Sequence, residues 1–329
     1  MIEVSGLTKT YGNKRGITDV NFTINEGEIV GFLGPNGAGK STTMNIITGY
    51  LSASDGSATI SGIDVLTDPI SAKKNIGYLP EQPPLYLDMS VTEYLNFIYD
   101  IKSVKLPRKE HIDMVCEMVG LSDHRKRLMR NLSKGYKQRC GLAQALVGDP
   151  KVLILDEPTV GLDPKQIIEI RNVISELGKN RTIILSTHIL QEVSAICERV
   201  LVINKGELVA DDTPDHLSAL ITGDHKHSFR IYGPKDQVVA KLKAVDGVRS
   251  VLPTIEAEPG AFEYLVESVE NLDVRKTIFN ALARAGYPIL QLKNQELTLE
   301  DIFIKLVEDK PVDVSSHNKP HKDKEAETK

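Results

Sequence analysis

Gly34-Pro35-Asn36-Gly37-Ala38-Gly39-Lys40-Ser41 constrains this chain more than any other stretch, because it fits G-x-x-x-x-G-K-[ST] in the setting such a loop requires. Ahead of it, Ile29 to Leu33 is a continuous apolar run of the kind that forms a buried strand. Behind it, Thr42 to Tyr50 reads as helix. Glycines let the backbone wrap closely around a polyphosphate, so that amide N–H groups aim at its oxygens, and the helix start adds its positive dipole end. In this geometry Lys40 reaches the β- and γ-phosphates, and Ser41 offers its hydroxyl to Mg2+.

The surrounding chain alternates strand-like and helix-like segments from residue 1 to about 222, the pattern of an α/β domain. Val20 to Ile24 alternates apolar and polar residues, Glu26-Gly27-Glu28 makes a turn, and Lys151 to Leu155 and Thr182 to Leu185 are further buried strands. Ile167, Ile170 and Ile174 give Pro164 to Leu177 a helical spacing, with Asp163 as its N-cap. Residues 83–150 hold helical patterns near 91–101, 108–119 and 136–147, which predicts a helical insertion in the α/β core. A linker is expected at 223–226, followed by a small α+β domain over 227–310. Val238, Val239, Leu242 and Val245 fall on one helical face there, and Val274, Ile278, Ala281, Leu282 and Ala285 on another. With strands at Phe229 to Tyr232, Phe262 to Glu267 and Ile289 to Leu292 and a closing helix through Leu299 to Leu306, the order suggests a split βαβ sandwich. Residues 311–329 have too few apolar side chains to offset their ordering entropy and are expected to be disordered.

Leu153-Ile154-Leu155 runs into Asp156-Glu157, two acids at the end of a strand. Strand ends in open parallel sheets are where ligands bind. Next to a phosphate loop, Asp156 suits Mg2+, commonly through water, and Glu157 suits activation of an attacking water.

Loop and acids together resemble the ATP-binding subunits of ABC transporters, and the resemblance spans residues 1 to about 220. It implies a P-loop NTPase fold, a mixed sheet core with a helical subdomain, and ATP with Mg2+ as cofactors. Further motifs carry it. Asn131-Leu132-Ser133-Lys134-Gly135-Tyr136 is similar to the family signature LSGGQ, with Lys134 in place of a glycine and Tyr136 in place of the glutamine. In the family, Ser133 and Gly135 would face the γ-phosphate held by the opposite subunit. Gln82 matches the glutamine that touches Mg2+ or the attacking water. His188 resembles the switch histidine on the γ-phosphate, Tyr11 the aromatic on adenine, and Asp163 the loop that crosses the dimer.

The resemblance therefore implies an ATPase that works as a head-to-tail dimer, expected to be a homodimer. No run of 18 apolar residues occurs, so a separate membrane-spanning permease is the expected partner, at the cytoplasmic face of the membrane. Leu79 to Tyr86, the signature and the C-terminal unit point to the exporter branch. A formal net charge of −5, no Trp and few aromatics speak against nucleic acid as a partner; the basic run His124 to Arg127 reads as a solvated helix face. Cys116, Cys140 and Cys197 lack metal-ligand spacing and read as small buried hydrophobes. Two other classes stand beside this reading. A soluble ABC-type regulator of ribosomes or DNA would usually carry two nucleotide domains or a long coiled coil. A small-molecule P-loop kinase would leave Ser133, Gln82 and His188 unexplained.

Overall fold

The computed structural model describes residues 1–12, 14–221, 226–269 and 272–294. The last helix and tail expected from the sequence, and most of the expected linker, lie outside these residues. The chain groups into two compact units that divide between Pro214 and Asp215.

In the first unit, strand ends are aligned so that three loops meet. A six-stranded sheet runs in the order Glu207–Asp212, Arg199–Asn204, Ile29–Leu33, Thr182–Thr187, Val152–Asp156, Ile76–Leu79. All neighbours are parallel except Glu207–Asp212, which returns antiparallel on Arg199–Asn204. Every residue of Val152–Asp156 and Thr182–Thr187 is buried, as the apolar composition of a strand covered on both faces requires. Register sets Leu33 beside Thr187 and Asp156 beside Ser186, so Gly34, His188 and Glu157 all leave the same carboxyl edge.

A four-stranded antiparallel sheet, in the order Lys14–Ile24, Ile2–Tyr11, Asp55–Ile60, Ile63–Asp64, shares its core with this sheet. Ile2, Val4, Val20 and Ile60 meet Met44 and Ile47 of the helix Lys40–Ile47, and Phe32, Ile154 and Ile184 of the central strands. That packing fixes the helix, and therefore the loop that feeds it.

The insertion contains the helices Val91–Ile101, Arg108–Met118 and Lys134–Leu146. Ser90 and Glu93 form a reciprocal cap at the start of the first. Lys102, just past its end, sends its Nζ to the carbonyls of Gln144 (3.0 Å), Ala145 (3.3 Å) and Val147 (2.8 Å). These are the unpaired acceptors where Lys134–Leu146 ends, so one side chain ties two helices together. Cys116, Cys140 and Cys197 are all buried and free, and burial pushes the Cys140 and Cys197 thiols up to about 12.

The second unit holds an antiparallel sheet in the order Val248–Glu258, Ala261–Ser268, Lys226–Tyr232, Ile289–Asn294. The helices Lys235–Lys243 and Arg275–Ala285 supply Val238, Leu242, Ile278 and Leu282 to a core with Phe229, Tyr264 and Val266.

Lys102→Met should cost about 1–3 kcal/mol, because apolar sulfur and methyl cannot donate to those three carbonyls. Denaturant unfolding of the full chain followed by circular dichroism checks this, and an unchanged midpoint would contradict it.

Candidate functional site

Lys40 and Glu157 form a buried ion pair at the carboxyl edge of the central sheet. Lys40 Nζ lies 3.4 Å from Glu157 Oε1, and both side chains are 7% exposed. The ammonium also donates to the loop carbonyls of Gly34 (2.8 Å) and Pro35 (3.3 Å). Glu157 holds a left-handed backbone, φ 48°, at the end of its strand, and its N–H donates to Ser186 O at 2.9 Å. A non-glycine residue in that region carries strain of about 1–3 kcal/mol, which the packed strand ends sustain. His188 Nδ1 stands 3.0 Å from each Glu157 carboxylate oxygen. Asp156, one residue earlier, is 2% exposed and accepts from Ser186 Oγ at 2.7 Å. Burial first, then the charges of Asp156 and Tyr50, raise the Tyr78 phenol, which stays a neutral donor to Asn45 Oδ1 at 3.3 Å.

Lys40, Glu157 and His188 border a cavity of 720 Å3, a volume suited to a small organic ligand, while Asp156 is not among its wall residues. Its wall brings together Tyr11, Asn36, Gly37, Gly39, Lys40, Ser41, Thr42, Glu157 and His188. Within the loop, Gly34 and Ala38 are buried and Pro35 is half-buried, and none of the three lines the cavity. Gly39 has φ 113°, and a Cβ there would stand 2.6 Å from Ile17 Cγ2 and 3.3 Å from Gly16 O, so only glycine fits. Gln82 is exposed, and its neighbour Glu81 lines the cavity instead.

Four wall residues were not singled out from the sequence: Arg15, Gly16, Glu81 and Val160. Arg15 pairs with Thr10 across the hairpin that carries Tyr11. The Tyr11 ring lies over Gly16, where a Cβ would meet Cε2 at 2.7 Å. Gly-Asn after an aromatic was the available signal, since a tight hairpin returns the following residues to the same edge.

Ser133, Gly135 and Asp163 lie elsewhere. Ser133 caps Lys134–Leu146, its Oγ accepting from Tyr136 N at 3.4 Å. Asp163 caps Pro164–Gly178 through Gln166 N at 2.9 Å. A second cavity, of 200 Å3, is lined by Gly135, Tyr136, Arg139, Asp163, Lys165, Gln166 and Glu169, and shares no wall residue with the first. The Gln166 side chain packs over Gly135, where an added Cβ would come within 2.6 Å of its Cδ. The two unusual signature residues have local partners. The Tyr136 ring stacks on His124, with centroids 4.0 Å apart and planes at 22°. Lys134 arches over Gly161, where an added Cβ would meet Nζ at 1.9 Å.

The ABC transporter family profile matches residues 17–160. The uncharacterized ABC transporter ATP-binding protein YhcH of Bacillus subtilis is 43% identical over 273 residues, 81% of this chain and 88% of that protein. The bacitracin transport ATP-binding protein BcrA of Bacillus licheniformis is 32% identical over 310 residues, 93% of this chain and 97% of that one. Among solved structures, the dimeric, post-hydrolysis ATP-binding cassette MJ0796 bound to ADP and Pi matches with a TM-score of 0.60 at 26% identity, covering 65% of this chain and 99% of that chain. The chain belongs to the ABC transporter family, as an ATP-binding subunit. It is an ATPase of a transporter.

Gly39→Ala should weaken nucleotide binding by about tenfold to a hundredfold, the equivalent of the strain imposed on the loop. Titration with a fluorescent ATP analogue checks this. Affinity within twofold of wild type would contradict the placement of the loop.

Proposed function

We propose that the 720 Å3 cavity holds ATP, and that the chain hydrolyses it as half of a head-to-tail dimer that drives export through a separate permease. The observation that carries this reading is the convergence of Lys40, Glu157 and His188 on a single cavity wall. Tyr11 stacks on the adenine. The loop from Gly34 to Ser41, with Thr42, surrounds the phosphates. A phosphate oxygen arriving at Lys40 exchanges for the Gly34 and Pro35 carbonyls, so an ammonium already desolvated gains a charged partner. Loss of Lys40 from Glu157 leaves that carboxylate to take a proton from the attacking water, while His188 steadies it and the γ-phosphate.

Ser41 and Asp156 are hard oxygen donors, and Gln82 adds an amide oxygen on the loop beyond Leu79. Such a set suits Mg2+, which commonly takes one or two protein oxygens and completes its shell with phosphate and water. Among the described residues no cluster of three or more His, Cys, Asp or Glu could hold a metal alone, which accords with an ion that arrives with the phosphates. When bound, it would neutralise charge on the phosphate oxygens.

Two distinct cavities on one unit favour the head-to-tail arrangement. The helix tip led by the exposed Ser133, with Gly135 buried just behind it, would offer backbone N–H groups to an anion, and the nucleotide it meets is the one on the partner. Asp163 would lie at that junction. A second identical chain is the simplest partner. The dimeric state of MJ0796 and the bacitracin transport role of BcrA, which aligns with 93% of this chain, support dimerisation and transport here. No described helix is long and apolar enough to cross a membrane, so the pathway belongs to a permease and the chain sits at its cytoplasmic face. In this reading residues 1–222 do the nucleotide work, the insertion at about 83–150 receives the permease, and 227–310 form a separate small domain.

Glu157→Gln should lower turnover by about 10²–10⁴-fold with ATP binding retained. Phosphate release and a nucleotide titration on the same preparation check both halves. Normal turnover would remove Glu157 from its role.

A further inference from the structure

Glu192 is a carboxylate at 2% exposure that the reaction described above does not use. It lies on the short helix Leu190–Ser194, and both of its oxygens are engaged. Oε1 accepts from Thr159 Oγ1 at 2.6 Å, and Oε2 accepts from Thr187 Oγ1 at 2.9 Å. Thr159 is 5% exposed and Thr187 fully buried, so neither hydroxyl has water as a substitute partner.

The two threonines flank the reacting pair. Thr187 immediately precedes His188, and Thr159 follows Glu157 by two residues. Thr187 Oγ1 also accepts from the N–H of Ile189 at 3.2 Å, so its hydroxyl spans the backbone on both sides of His188. Its carbonyl accepts from the N–H of Gly34, the first residue of the phosphate loop, at 3.3 Å. One carboxylate thus fastens the segment that presents His188 to the segment that leaves Glu157, next to the start of the loop.

We propose that Glu192 is a positioning residue for hydrolysis, setting the Glu157–His188 geometry through Thr159 and Thr187. This rests on the ATPase reading of the site. Glu192 is not among the residues that line the cavity, so its loss should act on the chemical step and spare nucleotide binding. A shift of about 1 Å between the carboxylate and the histidine is enough to cost a large factor in rate. Glutamine can preserve the clasp. Its Oε1 accepts from Thr187, and its amide N–H donates to Thr159, whose hydroxyl can accept as well as donate.

Steady-state ATP hydrolysis by the full chain, with melting temperatures on the same preparations, tests the proposal. Glu192→Ala should lower kcat by about tenfold or more with KM for ATP within about twofold, and Glu192→Gln should stay within about threefold of wild type. Thr159→Val, which removes one hydroxyl and keeps the shape, should lower kcat in the same sense. It decides the matter if Glu192→Ala does not fold. Overturning results are a kcat unchanged in Thr159→Val, a loss carried by KM, or a Glu192→Gln as slow as Glu192→Ala. Wild-type hydrolysis that is lost in Glu157→Gln would leave the ATPase reading standing in each of those cases.

Discussion

A buried ammonium and a buried carboxylate meet at the end of three parallel strands, and the rest of the structure serves that meeting. Taking both charges out of water costs several kcal/mol each, and the pair endures only with further hydrogen bonds around it. Lys40 finds them in the Gly34 and Pro35 carbonyls, and Glu157 finds one in His188. The loop follows Ile29–Leu33, Glu157 follows Val152–Asp156 and His188 follows Thr182–Thr187, three different strand ends. The pairing of Leu33 with Thr187, and of Asp156 with Ser186, is therefore what brings the charges together. An anion entering the cavity has somewhere to be received, because the site already holds a positive charge whose desolvation has been borne by folding.

How much of this could be read in the sequence depended on the range of the interactions involved. The phosphate loop was legible because its glycines answer a local demand: Gly37 and Gly39 have φ of 81° and 113°, and Gly39 also has no room for a Cβ. Glu157 and His188 were legible because each follows a continuous apolar strand. The antiparallel sheet was legible at Val20 to Ile24 and at the N-terminus, which reads as the start of a strand. Ile2 pairs with Ile60 and Leu7 with Val20, and bulges break the alternation that a reader would follow. Gln82 and Glu81 show the limit of single-residue placement. Past the end of Ile76–Leu79 no ladder fixes which side chain turns inward, and a shift of one position exchanges the two. Glu192 could not be read at all, since its partners are 33 and 5 residues away and its meaning lies in holding both.

The signature region combines a standard requirement with an unusual solution. In the proposed dimer this helix tip would face an anion; Ser133 caps it through the N–H of Tyr136, and Gly135 is buried behind it. Lys134 and Tyr136 are then free to serve other ends. Tyr136 gives one ring face to His124 in the insertion, and Lys134 reaches across Gly161 in the loop beyond Glu157. The helix tip is thereby tied by side chains both to the insertion and to the catalytic edge of its own unit.

The most direct test of the account is a structure of the Glu157→Gln chain with ATP and Mg2+. The account predicts that Lys40 Nζ leaves the carbonyls of Gly34 and Pro35 for β- and γ-phosphate oxygens, with the Ser133 helix tip of a second copy against the same γ-phosphate. A nucleotide bound away from the loop, with Lys40 still on those carbonyls, would contradict it.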